Sequence, residues 1–277
     1  MRIFRGIVRP LLLTLLCVLP VACGPARGVD AEDPLTRSVQ KGLNQGQKTF
    51  SHDAFDALLQ KHVRPSGRVD YAGLVKDKKE LQAYLDQLAG ADPASLSRPE
   101  LLAFFINAYN AYTLKVIVDS YPVKSIRDLS SPWDTAFCKV GGSTVTLNHI
   151  EHMILRPKEL FDDPRMHFAI NCASIGCPLL RQGAYTGAGI DKQLDEAVRR
   201  AMKDERYLRV SSGGVEVTKI LSWFKGDFTE KYGSLAKFLA PHIEEGEAKK
   251  ILQDKGDSAI DFLGYDWNLN DTATASS

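Results

Sequence analysis

One short run, 165–178, gathers the side chains best suited to chemistry: His167, Asn171, Cys172, Ser174 and Cys177. A thiolate is a strong nucleophile at neutral pH once a neighbour lowers the thiol pKa. Cys172 with a histidine base predicts acyl transfer or hydrolysis at an amide or thioester. His167 is the nearest imidazole in sequence. Residues five apart on a regular strand, however, lie about 16 Å apart on opposite faces. His152 is therefore the expected base, with His149 beside it in the preceding segment, and His167 takes the role only if the chain bends. Glu151, adjacent to His152, is expected to cap that segment's helix rather than orient the imidazole. Asn107 and Asn110 share one face of an apolar helix, either tying down loops or polarising a substrate carbonyl.

Two other chemistries fit the same residues. Cys172 and Cys177 enclose a short glycine-containing loop that a disulfide can close, which would make the run structural. His149, His152, His167, Cys172 and Cys177 also comprise the usual zinc donors, although their spacing matches no closed zinc signature. No metal and no cofactor is implied.

The elements that must position these residues follow from periodicity. The run itself, bracketed by Pro164 and Pro178, is expected to be a buried strand entering a turn. An amphipathic helix starts at Ser51, with His52, Asp53 and Lys61 on its wet side and His62 at the surface near its end, and another covers 74–88. The segment 100–118 is apolar all round, which predicts a central buried helix. Residues 136–147 form a hairpin around Gly141-Gly142, followed by a helix capped by Asn148 with Glu151 three residues on. A helix at 190–202, a second hairpin around Ser211-Ser212-Gly213-Gly214, an aromatic connector 221–228 and a strand at 260–263 complete the chain, which Tyr265-Asp-Trp-Asn268 closes. Hairpins between helices predict an α+β fold, mixed helices around a small antiparallel sheet.

The composition, 44% hydrophobic and 25% charged with net charge +1, is that of an ordinary globular protein and gives no basic patch for nucleic acid. Arg2, Arg5 and Arg9 precede an apolar run, 11–19, and small residues follow, the pattern of an export signal. Val21-Ala22-Cys23-Gly24 looks like a bacterial lipoprotein processing box, although Pro20 stands where Leu is expected. The expected organisation is a signal at 1–23 with lipidation at Cys23, a flexible tether at 24–49, one domain at 50–268 and a polar tail at 269–277. The expected location is periplasmic and membrane-anchored. Of the five cysteines, Cys138, Cys172 and Cys177 remain in the folded part, an odd number for an oxidising compartment.

Several separated motifs occur in order: Phe104-Phe-Ile-Asn107-Ala-Tyr-Asn110, Ile150-Glu-His152-Met-Ile-Leu-Arg156, Asp163-Pro-Arg-Met-His167-Phe-Ala-Ile-Asn171-Cys172, Gly176-Cys-Pro178, Leu221-Ser-Trp-Phe with Asp227-Phe228, and Tyr265-Asp-Trp-Asn268. Together they resemble the DUF547 domain family over residues 50–268. The family name carries no reaction, so the resemblance implies a domain boundary and a shared residue set. By analogy, that set suits a papain- or transglutaminase-like thiol fold. The substrate expected from all this is an envelope peptide or protein. The alternative is a non-catalytic envelope binding module stapled by a Cys172–Cys177 bridge.

Overall fold

The computed structural model describes residues 30–273. The segment expected to be an export signal, with Cys17 and Cys23, and the last residues of the expected tail lie outside the described residues. The chain runs through α1 (Pro34–Gln45), α2 (Asp53–His62), α3 (Tyr71–Lys76), α4 (Lys78–Ala89) and α5 (Arg98–Ser120). The hairpin β1 (Cys138–Val140) and β2 (Ser143–Val145) leads into α6 (Leu147–His149), which widens into a π-helical turn, Ile150–Leu155. Then come α7 (Ile190–Met202), β3 (Leu208–Ser211), β4 (Gly214–Val217), α8 (Lys219–Trp223), α9 (Lys225–Tyr232), α10 (Leu235–Leu239), α11 (Glu247–Lys255) and β5 (Ile260–Phe262).

The molecule is built on α5. Pro99 sits in its first turn, where a missing N–H costs nothing. By length and composition this helix matches a membrane span, yet 89% of its most apolar window is buried by the rest of the protein. It is the axis of the larger core, to which α1, α2, α4 and the π-helical turn contribute. A second core gathers Phe168 with α7, β4, α8, α9 and α10.

The α+β expectation holds, with two small sheets rather than one. β1 and β2 pair antiparallel across Gly141 and Gly142, both at positive φ, which suits glycine in a tight hairpin. β3 and β4 also pair antiparallel, but β5 adds to β4 in parallel. The intervening helices α8 to α11 supply the long crossover that a parallel neighbour requires.

Three expectations are corrected. The segment 24–49 is not all tether, because α1 lies within it. Asp33 caps that helix by accepting from Thr36 N–H at 2.7 Å, and Leu35 and Val39 are buried at helical spacing. The tail expected from 269 begins later. Leu269, Asn270 and Asp271 are buried, and Asn270 C=O accepts from Val69 N–H at 2.8 Å. His52 and His62 are both buried rather than at the surface, His52 with Nδ1 2.7 Å from the Tyr84 hydroxyl and His62 with Nε2 2.7 Å from Asp77 Oδ2.

Candidate active site

The run 165–178 is not a strand. Asp163 accepts from Arg165 N–H, and Pro164 starts a short 3-10 turn, Pro164–Phe168. The Arg165 guanidinium is anchored by Asp163, Asp191 and Asp195. This cap-and-proline start outcompetes strand formation. The chain then bends sharply after Cys172, where Ala173 has φ 60°. Such a backbone state in a residue with a Cβ needs outside support. Asn171 provides it, accepting from Ala173 N–H at 2.8 Å and donating from Nδ2 to Pro178 C=O at 2.7 Å. From α5, Asn110 donates to Ala169 C=O at 3.0 Å and accepts from Asn171 N–H at 2.8 Å. The outer side of the bend is held by the closing segment: Gly176 N–H donates to Asp266 C=O and Ile175 N–H to Asn268 C=O. A Cβ at Gly176 would lie 2.7 Å from Asp266 N, so this approach requires glycine.

The bend opens onto a cavity of about 420 Å³. Glu151, His152, His167, Cys172 and Cys177 all line it, and so do all three tryptophans of the chain, Trp133, Trp223 and Trp267. The remaining predicted residues lie elsewhere. Asn107 clamps Tyr185 through both its backbone groups, at 2.8 and 3.0 Å, and Asn110 is spent on the bend. Both amides are buried, are committed to loop backbone groups and do not line the cavity. His149 instead pairs with Asp33 at 3.4 Å, far from the role of base. Among the described residues no group of three or more His, Cys, Asp or Glu side chains converges as a metal site. Glu151 is not a cap. Thr146 caps α6 by accepting from His149 N–H, while Glu151 is buried and accepts from the Tyr109 hydroxyl.

Cys172 and Cys177 are both free thiols in this structure, so the bridge expected as an alternative is open. Cys177 Sγ accepts from Cys172 N–H at 3.1 Å. Cys172 Sγ lies 3.0 Å from the Tyr265 hydroxyl and 3.2 Å from Ser174 Oγ, and those two hydroxyls are 2.8 Å apart. The hydrogen bond from Cys177, joined by those from Ser174 and Tyr265, holds the Cys172 thiol below its ordinary value against the opposing effect of burial. Burial drives Cys177 the other way, well above a normal thiol. One thiol of the pair is poised to ionise, and the other is kept as a donor.

The two histidines belong to a chain of contacts that the sequence left unread. Arg156 donates to Asp227 through Nε and Nη2 at 2.8 and 2.9 Å, and its Nη1 lies 2.8 Å from His152 Nδ1. His167 Nε2 lies 2.7 Å from Asp227 Oδ2, and the imidazole stacks on Phe224 with centroids 3.8 Å apart. Burial pushes Asp227 up, but the hydrogen bonds from His167 and Arg156 outweigh it and hold the carboxyl far below the carboxylate range. Burial lowers both histidines, so both are neutral at pH 7. Their tautomers follow from their partners. A guanidinium only donates, so His152 Nδ1 accepts and Nε2 carries the proton. An ionised carboxylate only accepts, so His167 Nε2 carries the proton and Nδ1 holds a lone pair. That Nδ1 is buried and has no hydrogen-bond partner. The lone pair expected on His152 therefore stands on His167 Nδ1, the alternative that required the chain to bend, and His152 Nε2 carries an N–H.

Residues 93–200 match the family model described as "Protein of unknown function, DUF547". This DUF547 region is narrower than the span 50–268 expected from the motifs. It holds His152, Arg156, His167, Cys172 and Cys177, whereas Asp227 and Tyr265 lie beyond it. No curated protein and no solved structure matches the chain. Sequence reasoning missed Arg156, Asp227, Tyr265 and the tryptophans as site residues. All but Trp133 stand in a motif that carried the resemblance, so a signal was present without an assigned role.

Proposed function

We propose that the protein catalyses thiol-dependent acyl transfer or hydrolysis at an amide or thioester, with Cys172 as nucleophile. The observation that carries this reading is the Cys172 thiol in an aromatic-walled cavity, held ready to ionise by Cys177, Ser174 and Tyr265. The thiol proton is assigned to His167 Nδ1, the unpartnered ring nitrogen, which must close on Cys172 Sγ for the transfer because the two are not hydrogen-bonded in this structure; Asp227 balances the resulting imidazolium. The sulfur bonds to the acyl carbon, and the carbonyl electron pair moves onto oxygen. Cys172 N–H is engaged with Cys177, so hydrogen bonds to that oxyanion come from His152 Nε2–H or the Tyr265 hydroxyl. Collapse expels the amine or thiol, which leaves with the proton from His167. The thioester then passes its acyl group to water or to another acceptor. The indole and phenol faces of the cavity suit flat groups such as peptide planes and ring side chains.

The proposed setting is the cell envelope, with the substrate an envelope peptide or protein and Cys23 lipidated. It rests on the basic, apolar and small-residue order of 1–24 alone.

Incubation with an activated thioester, followed by intact mass measurement and peptide mapping, tests the reaction. The expected result is an acyl adduct on Cys172, absent in Cys172→Ala, with Cys138 and Cys177 unmodified. A Cys172→Ala protein that stays folded and turns over the thioester as fast as the wild type overturns the assignment.

A further inference from the structure

We infer that the Cys172–Cys177 pair is a hydroperoxide-reactive site, in which Cys172 is oxidised and Cys177 resolves it as a reversible disulfide that closes the cavity's nucleophile. The inference rests on the reading of Cys172 as an activated thiol, but not on acyl transfer.

Three observations lead to it. First, the two cysteines are in direct contact: Cys177 sulfur accepts the backbone N–H of Cys172 at 3.1 Å, and the Cys177 side chain is the largest influence lowering the Cys172 thiol. Both sit at the ends of one bent loop, 172–177, turned by Ala173 and closed by the Gly176 contact. Second, the two are chemically unequal: Cys172 reaches the cavity ready to ionise, and buried Cys177 stays protonated. Peroxide therefore selects Cys172, because the thiolate is the reacting form. Third, the Tyr265 and Ser174 hydroxyls converge on the sulfur and are placed to donate to the departing peroxide oxygen.

The chemistry balances in two steps. Cys172 sulfur attacks one peroxide oxygen. An S–O bond forms, the O–O bond breaks, and the other oxygen leaves as an alcohol or water after taking a proton. Cys172 is oxidised by two electrons to a sulfenic acid, and the peroxide is reduced. Cys177 sulfur then attacks Cys172 sulfur. An S–S bond forms, the S–O bond breaks, and water departs with the Cys177 proton. Oxidation also removes the negative neighbour that helps keep Cys177 protonated, which favours the second step. An external thiol reverses the bridge by exchange. The bridge blocks overoxidation of Cys172 and withdraws the nucleophile from acyl chemistry.

The test treats the reduced protein with hydrogen peroxide, quenches it with iodoacetamide and maps the tryptic peptide 166–181, which contains both cysteines. The expected product is that peptide two hydrogens lighter and unalkylated, with Cys138 still alkylated. Dithiothreitol should restore alkylation fully. In Cys177→Ser, dimedone should trap a sulfenic acid on Cys172 instead. Conversion to sulfinic acid without a bridge, or a bridge forming no faster than peroxide oxidises free glutathione, overturns the inference. The thioester experiment separates the two readings. Acylation of Cys172 without a bridge leaves the acyl reading standing and removes this one. A fast bridge without acylation does the reverse.

Discussion

The Tyr265 hydroxyl lies between two partners, 3.0 Å from Cys172 Sγ and 2.8 Å from Ser174 Oγ, with one proton to share. When Cys172 is a thiol, that proton can go to Ser174. When it is a thiolate, both hydroxyls can turn to the sulfur, and this stabilises the charged form. Tyr265→Phe removes that donor and leaves the ring packing against Trp223 and Trp267. Iodoacetamide alkylation of Cys172 in this variant should therefore move to higher pH than in the wild type. An unmoved profile would assign the ionisation to Cys177 and Ser174. Asp227 acts one step further out, through His167 and Arg156. Asp227→Asn leaves Arg156 without its bidentate anion and lets His167 adopt the wrong tautomer. Acyl transfer should fall by roughly 10²–10⁴, and stability by about 3 kcal/mol as a mostly buried pair is broken. Thioester turnover and denaturant titration measure the two effects separately.

Among the elements, α5 does more than fill the core. Asn107 and Asn110 are three residues apart on one face, and each holds a donor and an acceptor of a different loop. Replacing either by Ala strands buried backbone groups, at a cost of about 2–4 kcal/mol. The two variants should differ in their effect on the thiol. Asn110→Ala frees the backbone at Ala169 and Asn171, next to Cys172, and should alter the pH profile of alkylation. Asn107→Ala frees Tyr185 and should leave that profile in place in the folded fraction. Equal profiles in both variants would show that α5 clamps do not set the bend. The π-helical turn after α6 is the second positioning element. Arg156 N–H donates to Glu151 C=O at 2.9 Å, five residues back. The widened turn carries Glu151 and His152 to one wall of the cavity, with Arg156 hydrogen-bonded to His152, as inserted turns in helices often do at functional sites.

At the scale of the whole molecule, the cavity lies where the two cores meet. Tyr109 and Ile170 come from the larger core, and Ile220 and Phe224 from the smaller. The tryptophans at this seam make a built-in reporter. Because no tryptophan lies anywhere else, an occupant of the cavity should shift the intrinsic emission of the protein. Acylating Cys172 should do so in the wild type and not in Cys172→Ala. Acid stability also belongs to this scale. His152 and His167 have folded pKa values below the ordinary 6.5. The unfolded chain therefore binds more protons as pH falls through 6.5, and stability drops. Asp227 adds a second loss at lower pH. Its folded pKa is depressed, so its contribution is complete above the unfolded value of about 4 and disappears as pH falls toward the folded one. Thermal midpoints should be level above pH 7 and decline in two stages below it, with the lower stage reduced in Asp227→Asn.

Local order in the chain determined most of the elements. The all-apolar run at α5, the glycine turn between β1 and β2 and the helical period of α7 each follow from nearest-neighbour preferences, which act without distant partners. The same locality marked 165–178 as the run richest in reactive side-chain types and Cys172 as its candidate nucleophile. Roles within the site were not local. Asp227 meets His167 across 60 residues, and Tyr265 meets Cys172 across 93. A tautomer is set by whichever group faces the second ring nitrogen, and that group is chosen only when the chain closes. The bend at Ala173 likewise depends on Asn110 and the closing segment, so periodicity alone suggested a strand there. Which residue types could carry reactivity was written in the sequence. Which of them donates, accepts or merely holds was decided by tertiary packing, because hydrogen-bond partners buried from water are assigned by geometry rather than by neighbourhood.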